Sequence, residues 1–306
     1  MSEIARQTLV VIAGPTAIGK TSLAITLART FDSEIISADS RQFYKELNIG
    51  TAKPTIQELN EVKHHFINCL TIHDEYDAGQ YSADFEALIT KLYDHHELLF
   101  MVGGSGLYID AAIKGFDKMP EAPASFRAEL KAAHESGYFS SLLKELEQSD
   151  PDYYKMVDKQ NPQRVLRALE VIRFTGQPYS LLRSGANREV RTDLNIIQVA
   201  LEMPRQEIYD RIDRRMDDMI SRGLFDEARR MYLYRDKQAL QTVGYKEIFD
   251  HMDGLYDRDE AIRLLKRNSR RYAKRQLTWF RKDPGYIWMH PSRIDDIIDL
   301  IHSKMK

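Results

Sequence analysis

The sequence has very little cysteine. Cys69 is its one thiol in 306 residues, so no disulfide bond can form within the chain. Such scarcity is typical of the reducing cytosol, where we expect the protein to reside. The sequence also lacks any apolar run of the roughly 18 residues that a membrane-spanning helix needs. Its first residues, MSEIARQ, carry an acid and differ from a secretion signal, so we expect no membrane partner.

A large excess of one charge sign is also missing, since the formal net charge is −2. The charges are nevertheless unevenly distributed, because residues 258–282 contain ten Lys or Arg and two acids. This segment predicts a surface that faces a polyanion, although a solvated charged face is the ordinary alternative. With 306 residues, the chain is long enough for one large domain or for two, and its 43% hydrophobic residues are enough to form a sizeable core.

The strongest motif lies in residues 8–21, TLVVIAGPTAIGKT. Residues 9–12 predict a buried parallel strand, and residues 22–31 predict an amphipathic helix. Between them, the spacing G-x-x-x-x-G-K-T is typical of a phosphate-binding loop, although a chance glycine turn is the alternative. The loop consists of Gly14, Pro15, Thr16, Ala17, Ile18, Gly19, Lys20 and Thr21. Lys20 adds a positive charge, and the Thr21 hydroxyl is placed to ligate a phosphate-bound Mg²⁺.

Two further predicted strands, 34–37 and 98–102, are followed by polar residues at the edge where open α/β sheets bind ligands. Asp39 follows the first strand, and the alternative for it is a helix cap. Ser105 follows two glycines after the second strand, where either a ligand approach or a tight turn is expected. Strand 98–102 does not end in the acid that a nucleotide-hydrolysing site usually uses for Mg²⁺, which argues against an ATPase.

The composition changes between residues 116 and 189. This stretch is rich in helix formers, is broken by glycine and proline, and contains no strand-like run. We therefore predict a helical insertion domain over 116–189 and a core made of 1–115 and 190–306, which the chain rejoins at a strand over 196–201. The predicted fold class is α/β, with a P-loop nucleotide-kinase-like parallel sheet core and a helical insertion domain.

From Asp39 onward, the sequence together with its phosphate loop resembles the tRNA dimethylallyltransferase (tRNA isopentenyltransferase) family. The blocks that carry the resemblance are GPTAIGKT at 14–21, DSRQFY at 39–44, NIGTAKP at 48–54, HHFIN at 64–68, GGSGLY at 103–108, RVLRALE at 164–170, VGYKE at 243–247 and AKRQLTW at 273–279. They occur in the family's order and span most of the chain. One departure is Ser105, where the family usually has Thr, so the β-methyl that restricts the rotamer is lost.

The resemblance implies transfer of the dimethylallyl group of dimethylallyl diphosphate to N6 of the adenosine at position 37 of tRNA. Asp39 is then the general base, and the phosphate loop with Mg²⁺ stabilises the leaving diphosphate, with Ser105 nearby. The family places an essential arginine in the amphipathic helix predicted over 208–220, and our alignment favours Arg211 over Arg215. The resemblance implies that the protein binds the anticodon arm, and we expect it to be monomeric and cytoplasmic.

The resemblance also implies a set of tRNA contacts. They are Asp39, Ser40, Arg41, Gln42, Ser105, Arg127, Gln163, Arg164, Val165, Leu166, Arg167, Lys274 and Arg275. Ser40, Gln42 and Tyr44 are expected to hold the flipped base. For the insertion arginines, solvated surface charge is the ordinary alternative.

A long basic helix is expected after Asp259. We predict that it buries Ile262, Leu265 and Tyr272. The side chains predicted to face a phosphodiester backbone are Arg263, Lys266, Arg267, Arg270, Lys274 and Arg275.

Two other classes of function compete with this interpretation. A P-loop small-molecule kinase would use the loop but would leave the Asp39 segment and the basic helix without a role. A GTPase-like switch protein would need an Asn-Lys-x-Asp sequence for guanine, which is absent. The tRNA-modifying enzyme is therefore the interpretation that we favour.

Overall fold

The computed structural model describes residues 7–115, 119–183 and 193–305, which contain α-helices and one parallel β-sheet. The α-helices are α1 (Lys20–Thr30), α2 (Ile56–Glu61), α3 (Ala78–Leu92), α4 (Gly106–Lys114), α5 (Ala124–Glu135), α6 (Phe139–Ser149), α7 (Pro151–Met156), α8 (Pro162–Thr175), α9 (Tyr179–Leu182), α10 (Arg205–Ser221), α11 (Leu224–Met231), α12 (Lys246–Met252), α13 (Arg258–Phe280) and α14 (Ile294–Met305). Short 3₁₀ helices cover Tyr232–Tyr234 and Gln238–Leu240. Within the described ranges, no helix is both long enough and apolar enough to cross a membrane.

The chain divides into two compact units. One contains Met1–Ile113 and Arg191–Lys306, and the other contains Lys114–Val190. All strands of the described residues belong to the first unit. The sheet is therefore assembled from segments that precede and follow the helical second unit in the sequence.

The sheet has six strands in the order β3-β2-β4-β1-β5-β6, and all neighbouring pairs are parallel. The strands are β1 (Thr8–Ala13), β2 (Ile35–Ser37), β3 (His64–His65), β4 (Leu98–Gly103), β5 (Asn195–Leu201) and β6 (Ile287–Met289). Strands β1, β2 and β4 are buried along their whole length, as expected for a parallel sheet with helices on both faces. Because the strands run the same way, the loops after Ala13, Ser37 and Gly103 meet at one edge.

The structure confirms the predicted parallel α/β core and adds two edge strands. Strands β3 and β6 are only two and three residues long, too short to give a periodic pattern in the sequence. Helix α1 begins at Lys20 rather than at the predicted Ser22, because Gly19 adopts a left-handed conformation (φ 102°) at its N-cap. Lys20 and Thr21 therefore lie in the first turn of the helix, beside the phosphate loop.

Helix α13 buries a different set of residues from the predicted one. Leu265 is buried as expected, but Ile262 and Tyr272 are only partly covered. The buried residues are Ala261, Leu265, Ser269, Ala273, Gln276 and Phe280. Small and polar side chains allow the helix to approach the core closely, so two of its polar residues, Ser269 and Gln276, are almost fully buried.

The second unit has a small core of its own. Leu130, Leu146, Val165 and Leu169 pack together between its helices. Asp150 is also buried and accepts hydrogen bonds from the backbone N–H groups of Tyr153 and Ser180 and from the Ser180 hydroxyl, at 3.0, 2.7 and 2.8 Å. These bonds satisfy the buried carboxylate and join α7 to α9.

Candidate functional site

The phosphate loop closes tightly after β1. Gly14 and Gly19 have positive φ angles of 152° and 102°, and a Cβ on Gly14 would lie 3.2 Å from the Leu201 carbonyl oxygen. The Lys20 ammonium donates hydrogen bonds to the carbonyl oxygens of Gly14 and Pro15, at 3.0 and 2.8 Å. The Lys20 side chain therefore folds back onto the backbone of the phosphate loop.

A cavity of about 800 Å³ opens beside this loop. Its lining comes from the loop, from helices α10 and α13, and from Asp39, Arg41, Gln42, Glu58, Leu224 and residues 50–52 and 242–244. This volume lies within the usual range for small-molecule pockets. The cavity lies against the carboxyl edge of the sheet, where the sequence predicted a ligand.

Helix α10 brings three guanidinium groups to the cavity, those of Arg211, Arg214 and Arg215. Arg211 Nη2 lies 3.4 Å from the position that a Cβ on Gly19 would occupy. Arg215 is partly buried, as Arg211 is, and interacts electrostatically with both Lys20 and Asp39. Because positions 211 and 215 are four apart, both arginines lie on one face of the helix. The sequence prediction favoured Arg211 for this role, and the structure brings both to the site.

The charges of these groups influence one another. Burial, together with the positive charge of Arg215, lowers the pKa of Lys20 to about 8, while the Asp39 carboxylate acts in the opposite direction. Burial also lowers the pKa of the Arg215 guanidinium. Several cations crowded into a partly dehydrated site make it ready to accept an anion, whose binding would restore the ordinary pKa values.

Asp39 and Ser105 occupy neighbouring loops. Asp39 Oδ1 accepts a hydrogen bond from the Arg41 N–H at 3.0 Å, so Asp39 caps its own turn as well as lining the cavity. The Ser105 hydroxyl accepts from the Ser40 N–H at 3.0 Å and donates to the Ser40 hydroxyl at 3.2 Å. Ser105 thus supports the loop that carries Asp39.

Two residues expected to hold the base have other contacts. Tyr44 is 1% exposed, so its ring is part of the core and the expectation that it holds the base is wrong. The Gln42 amide nitrogen donates to the carbonyl oxygens of Thr51 and Ala52, at 3.3 and 3.2 Å. Gln42 therefore supports the cavity wall 50–52.

Sequence reasoning missed Gln276, which is 6% exposed and lies on α13. Its side-chain oxygen accepts a hydrogen bond from the Thr16 N–H at 2.9 Å, and its nitrogen donates to the Gly104 carbonyl at 2.9 Å. One amide thus joins the phosphate loop to the turn after β4. Its place in the AKRQLTW block was the available signal, but that block was interpreted only as a tRNA contact.

Glu227 on α11 was also missed, although it is only 3% exposed. Its carboxylate accepts hydrogen bonds from the N–H groups of Asn48, Ile49 and Gly50, at 3.1, 2.9 and 2.9 Å, and from the Tyr245 hydroxyl at 2.7 Å. A Cβ on Gly50 would lie 2.6 Å from the Tyr245 ring. This buried carboxylate holds the segment that leads into the cavity wall.

Within the second unit, a buried carboxylate organises two of the predicted tRNA contacts. Glu170 is 3% exposed, and it accepts hydrogen bonds from Arg127 at 3.3 Å and from Arg167 at 2.7 Å. Gln163 and Arg164 are exposed or partly exposed in the first turn of α8. Val165 is fully buried, and Leu166 packs against the same core. The side chain of Val165 therefore has no surface to offer to a ligand.

The basic face of α13 is less cationic than its sequence predicts. Lys266 pairs with Asp217 and Arg270 pairs with Asp213, both at 2.6 Å, and both acids belong to α10. Arg263 pairs with Glu260, also at 2.6 Å. Acids of α10 and of the first turn of α13 therefore pair with three of the cations that are predicted to face a phosphodiester backbone. Lys274 and Arg275 remain exposed.

A parallel sheet with a phosphate loop at its carboxyl edge defines the class as P-loop α/β proteins. The cavity beside the loop also contains the Asp39 carboxylate and several cations, groups that are typical of an enzyme active site.

Comparison with known proteins identifies the family. The IPP transferase family model matches residues 42–283. The tRNA dimethylallyltransferase of Cytophaga hutchinsonii is 47% identical over 298 residues, covering 97% of both chains. tRNA dimethylallyltransferase 1 of Bacteroides fragilis is 41% identical, covering 98% of this chain and 99% of the relative. The chain belongs to the IPP transferase family.

Solved structures agree with this assignment. The tRNA isopentenylpyrophosphate transferase of Bacillus halodurans superposes with a TM-score of 0.73 at 38% identity, covering 98% of this chain and 97% of that one. A eukaryotic dimethylallyltransferase acting on tRNA gives a TM-score of 0.72 at 25% identity, with 89% of this chain and 69% of that chain covered. The P-loop core predicted from the sequence is thus the fold of this family.

The lowered pKa of Lys20 predicts how anion binding responds to pH. Only the protonated amine attracts an anion strongly, so affinity for inorganic diphosphate should fall as pH rises above about 8, by up to about tenfold per pH unit. Lys20→Arg keeps its charge over this range and should lose that part of the dependence. Titration calorimetry at pH 7 to 10 measures the diphosphate affinity of the parent and of Lys20→Arg. An equal fall in affinity in the two proteins would contradict the prediction.

The Glu227 carboxylate predicts a stability effect at a position with no direct role in chemistry. Glu227→Gln replaces an acceptor oxygen by an N–H₂ group that faces backbone donors, so the free energy of unfolding should fall by about 2 kcal/mol. Urea unfolding measures this loss, and hydrogen exchange should increase in residues 48–52. Asp226→Asn is the matched control, because Asp226 makes an exposed ion pair at 3.3 Å with Arg229. Equal stability of the two variants would contradict the assignment.

Proposed function

We propose that this chain transfers the dimethylallyl group from dimethylallyl diphosphate to N6 of an adenosine in tRNA, at position 37 beside the anticodon. The observation that carries the proposal is one cavity in which the phosphate loop, Lys20 and two α10 arginines adjoin the Asp39 carboxylate. The names of the relatives support the same reaction class. They do not favour the small-molecule kinase alternative.

The donor would bind through its diphosphate. The backbone N–H groups at the start of α1, with Lys20, Arg211 and Arg215, form a preorganised cationic site for the charge that grows on the leaving group. No group of three or more His, Cys, Asp or Glu able to hold a metal occurs among the described residues. Thr21 lines the cavity and fits a Mg²⁺ whose other ligands are diphosphate oxygens. Such an ion would neutralise part of the diphosphate charge.

The acceptor would be activated by Asp39. The adenine amino group attacks C1 of the allylic donor, the C1–O bond breaks, and its electron pair leaves with the diphosphate. The amino group is a weak nucleophile because its lone pair is delocalised into the ring, so the Asp39 carboxylate accepts the N6 proton as the N–C bond forms. Arg41 N–H holds one oxygen of that carboxylate at 3.0 Å and fixes its orientation.

The base must leave the anticodon loop to enter the cavity, so the RNA has to be held on both sides of it. Lys274 and Arg275 on α13 would contact phosphates. In the second unit, Arg127 and Arg167 meet at Glu170 and would contact the anticodon arm. We propose that the protein acts as a monomer in the cytoplasm.

The proposed reaction is tested by mass spectrometry of nucleosides. Unmodified tRNA is incubated with the protein, dimethylallyl diphosphate and Mg²⁺, digested, and analysed for N6-dimethylallyladenosine. We expect a product that depends on all three additions, together with release of inorganic diphosphate. Consumption of ATP with a small-molecule acceptor, and no modified adenosine, would favour the kinase instead.

Replacing the general base tests the mechanism. Asp39→Asn should reduce the single-turnover transfer rate by about 10² to 10⁴, while tRNA affinity stays close to that of the parent. Asp94→Asn, at an exposed position after α3, is the matched control and should retain the parental rate. A parental rate in Asp39→Asn would remove this carboxylate from the mechanism.

The salt dependence of tRNA binding tests the proposed contacts. Lys274→Ala should lower the slope of log affinity against log salt by about 0.7 to 0.9 and weaken different tRNAs equally. The loss of tRNA affinity in Arg167→Ala should depend less on salt and more on the loop sequence, because unpaired bases offer stacking and edge contacts. Arg29→Ala is the control, since Arg29 lies in the last turn of α1, away from the phosphate loop. Parental slopes and affinities in both variants would mean that Lys274 and Arg167 are ordinary solvated surface charges rather than tRNA contacts.

A further inference from the structure

We propose that the ring of Tyr272 is the platform on which the acceptor base stacks inside the cavity. The inference rests on the proposed function and assigns the base a specific partner. Among the described residues that line the cavity, Tyr272 is the one aromatic side chain; the others are polar, charged or aliphatic. A planar base therefore finds one aromatic ring among the described residues of this cavity.

The position of Tyr272 is set by its neighbours on α13. Ser269, Tyr272 and Gln276 all line the cavity, and their spacing of three and four residues puts them on one helix face. Gln276 is bonded to the phosphate loop and to the turn after β4, at 2.9 Å in each case. One turn further on, the Trp279 indole N–H donates to the Asp110 carboxylate at 2.8 Å. These contacts attach α13 to the phosphate loop and to α4, and so fix the part of the helix next to Tyr272.

The surroundings of the phenol connect it to the reacting groups. Burial is the main cause that raises the pKa of Tyr272 to about 12, and the negative charge of Asp39 adds to it. Ser105, whose hydroxyl also bonds to Ser40, interacts with the Tyr272 hydroxyl. The Arg275 guanidinium lies 5.6 Å from the ring centroid. The tyrosine is thus neutral at working pH and interacts with both the proposed general base, Asp39, and a proposed phosphate contact, Arg275.

This arrangement answers an energetic requirement of the reaction. A base that leaves the anticodon loop loses the stacking of its neighbours, and enzymes that flip bases replace it with aromatic or apolar contacts. A base on the Tyr272 ring would have its edge near Asp39, so one contact would both hold the flipped base and present its amino group. The adjacent Arg275 would hold the backbone of the same strand.

The test removes the ring and then the hydroxyl alone. Tyr272→Leu keeps an apolar side chain of helix-forming type, and we expect kcat/KM for tRNA to fall about 5- to 150-fold, the range measured for loss of base–aromatic stacking. Tyr272→Phe keeps the ring and should stay within about threefold of the parent. Both should bind inorganic diphosphate with parental affinity, which a general folding defect would not allow.

A second readout does not depend on transfer. A tRNA anticodon arm with 2-aminopurine at the acceptor position should fluoresce more strongly when bound to Tyr272→Leu than to the parent or to Tyr272→Phe, because stacking quenches the probe. Tyr272→Met replaces the leucine variant if that one does not fold. Equal kcat/KM and equal fluorescence in the leucine variant and the parent would overturn the inference. Absence of transfer by the parent would overturn the proposed function, while the fluorescence comparison would still decide the role of the ring.

Discussion

The hydrogen bonds of Gln276 are the interaction on which the site depends. This side chain binds the Thr16 N–H of the phosphate loop and the Gly104 carbonyl, and it comes from a helix 260 residues further along the chain than Thr16. A Cβ on Gly104 would lie 2.2 Å from the amide nitrogen, so the turn has to approach without a side chain. The donor site and the helix that carries Lys274 are thereby joined through one buried amide. Any movement of that helix would disturb a backbone group of the phosphate loop.

A second constraint is the division of charge on α10. Arg211 and Arg215 lie on one face and line the cavity, whereas Asp213 and Asp217 pair with cations of α13. Because residues four apart share a helix face, one helix can supply cations to the ligand and anions to its neighbouring helix. The cavity wall therefore combines Lys20 and four arginines with the acids Asp39, Glu58, Glu207 and Asp218. Where α13 packs against α10, its positive charges are therefore paired with acids.

Buried carboxylates have a related structural role in both units. Glu227 accepts hydrogen bonds from the successive N–H groups of residues 48–50 in the first unit, and Glu170 accepts from two guanidinium groups in the second. Each carboxylate is satisfied by several donors, which offsets the cost of removing its charge from water. The parts that would contact substrate are therefore held by residues that do not contact it.

Local patterns in the sequence were sufficient to predict the parallel core and the phosphate loop. The loop is a contiguous motif between an apolar strand and an amphipathic helix, so its geometry follows from residues 8–31. Asp39 and Ser105 could be placed at the same edge, since parallel strands end together. The family was also recognisable, because its blocks recur in order. Tyr44 was misplaced, because a tyrosine in a motif block gives no local signal of whether its ring faces a ligand or the core.

By itself, the sequence determined the elements whose signal is local: the buried strands, the phosphate loop, the change to helix after residue 116, and the run of cations in α13. The tertiary structure alone decided which of those cations are neutralised, since Asp213 and Asp217 are more than 45 residues away from their partners along the chain. It also decided that Gln276 and Glu227 support the cavity. A single buried polar residue has no periodicity, and its role depends on which backbone groups the fold brings within about 3 Å of it.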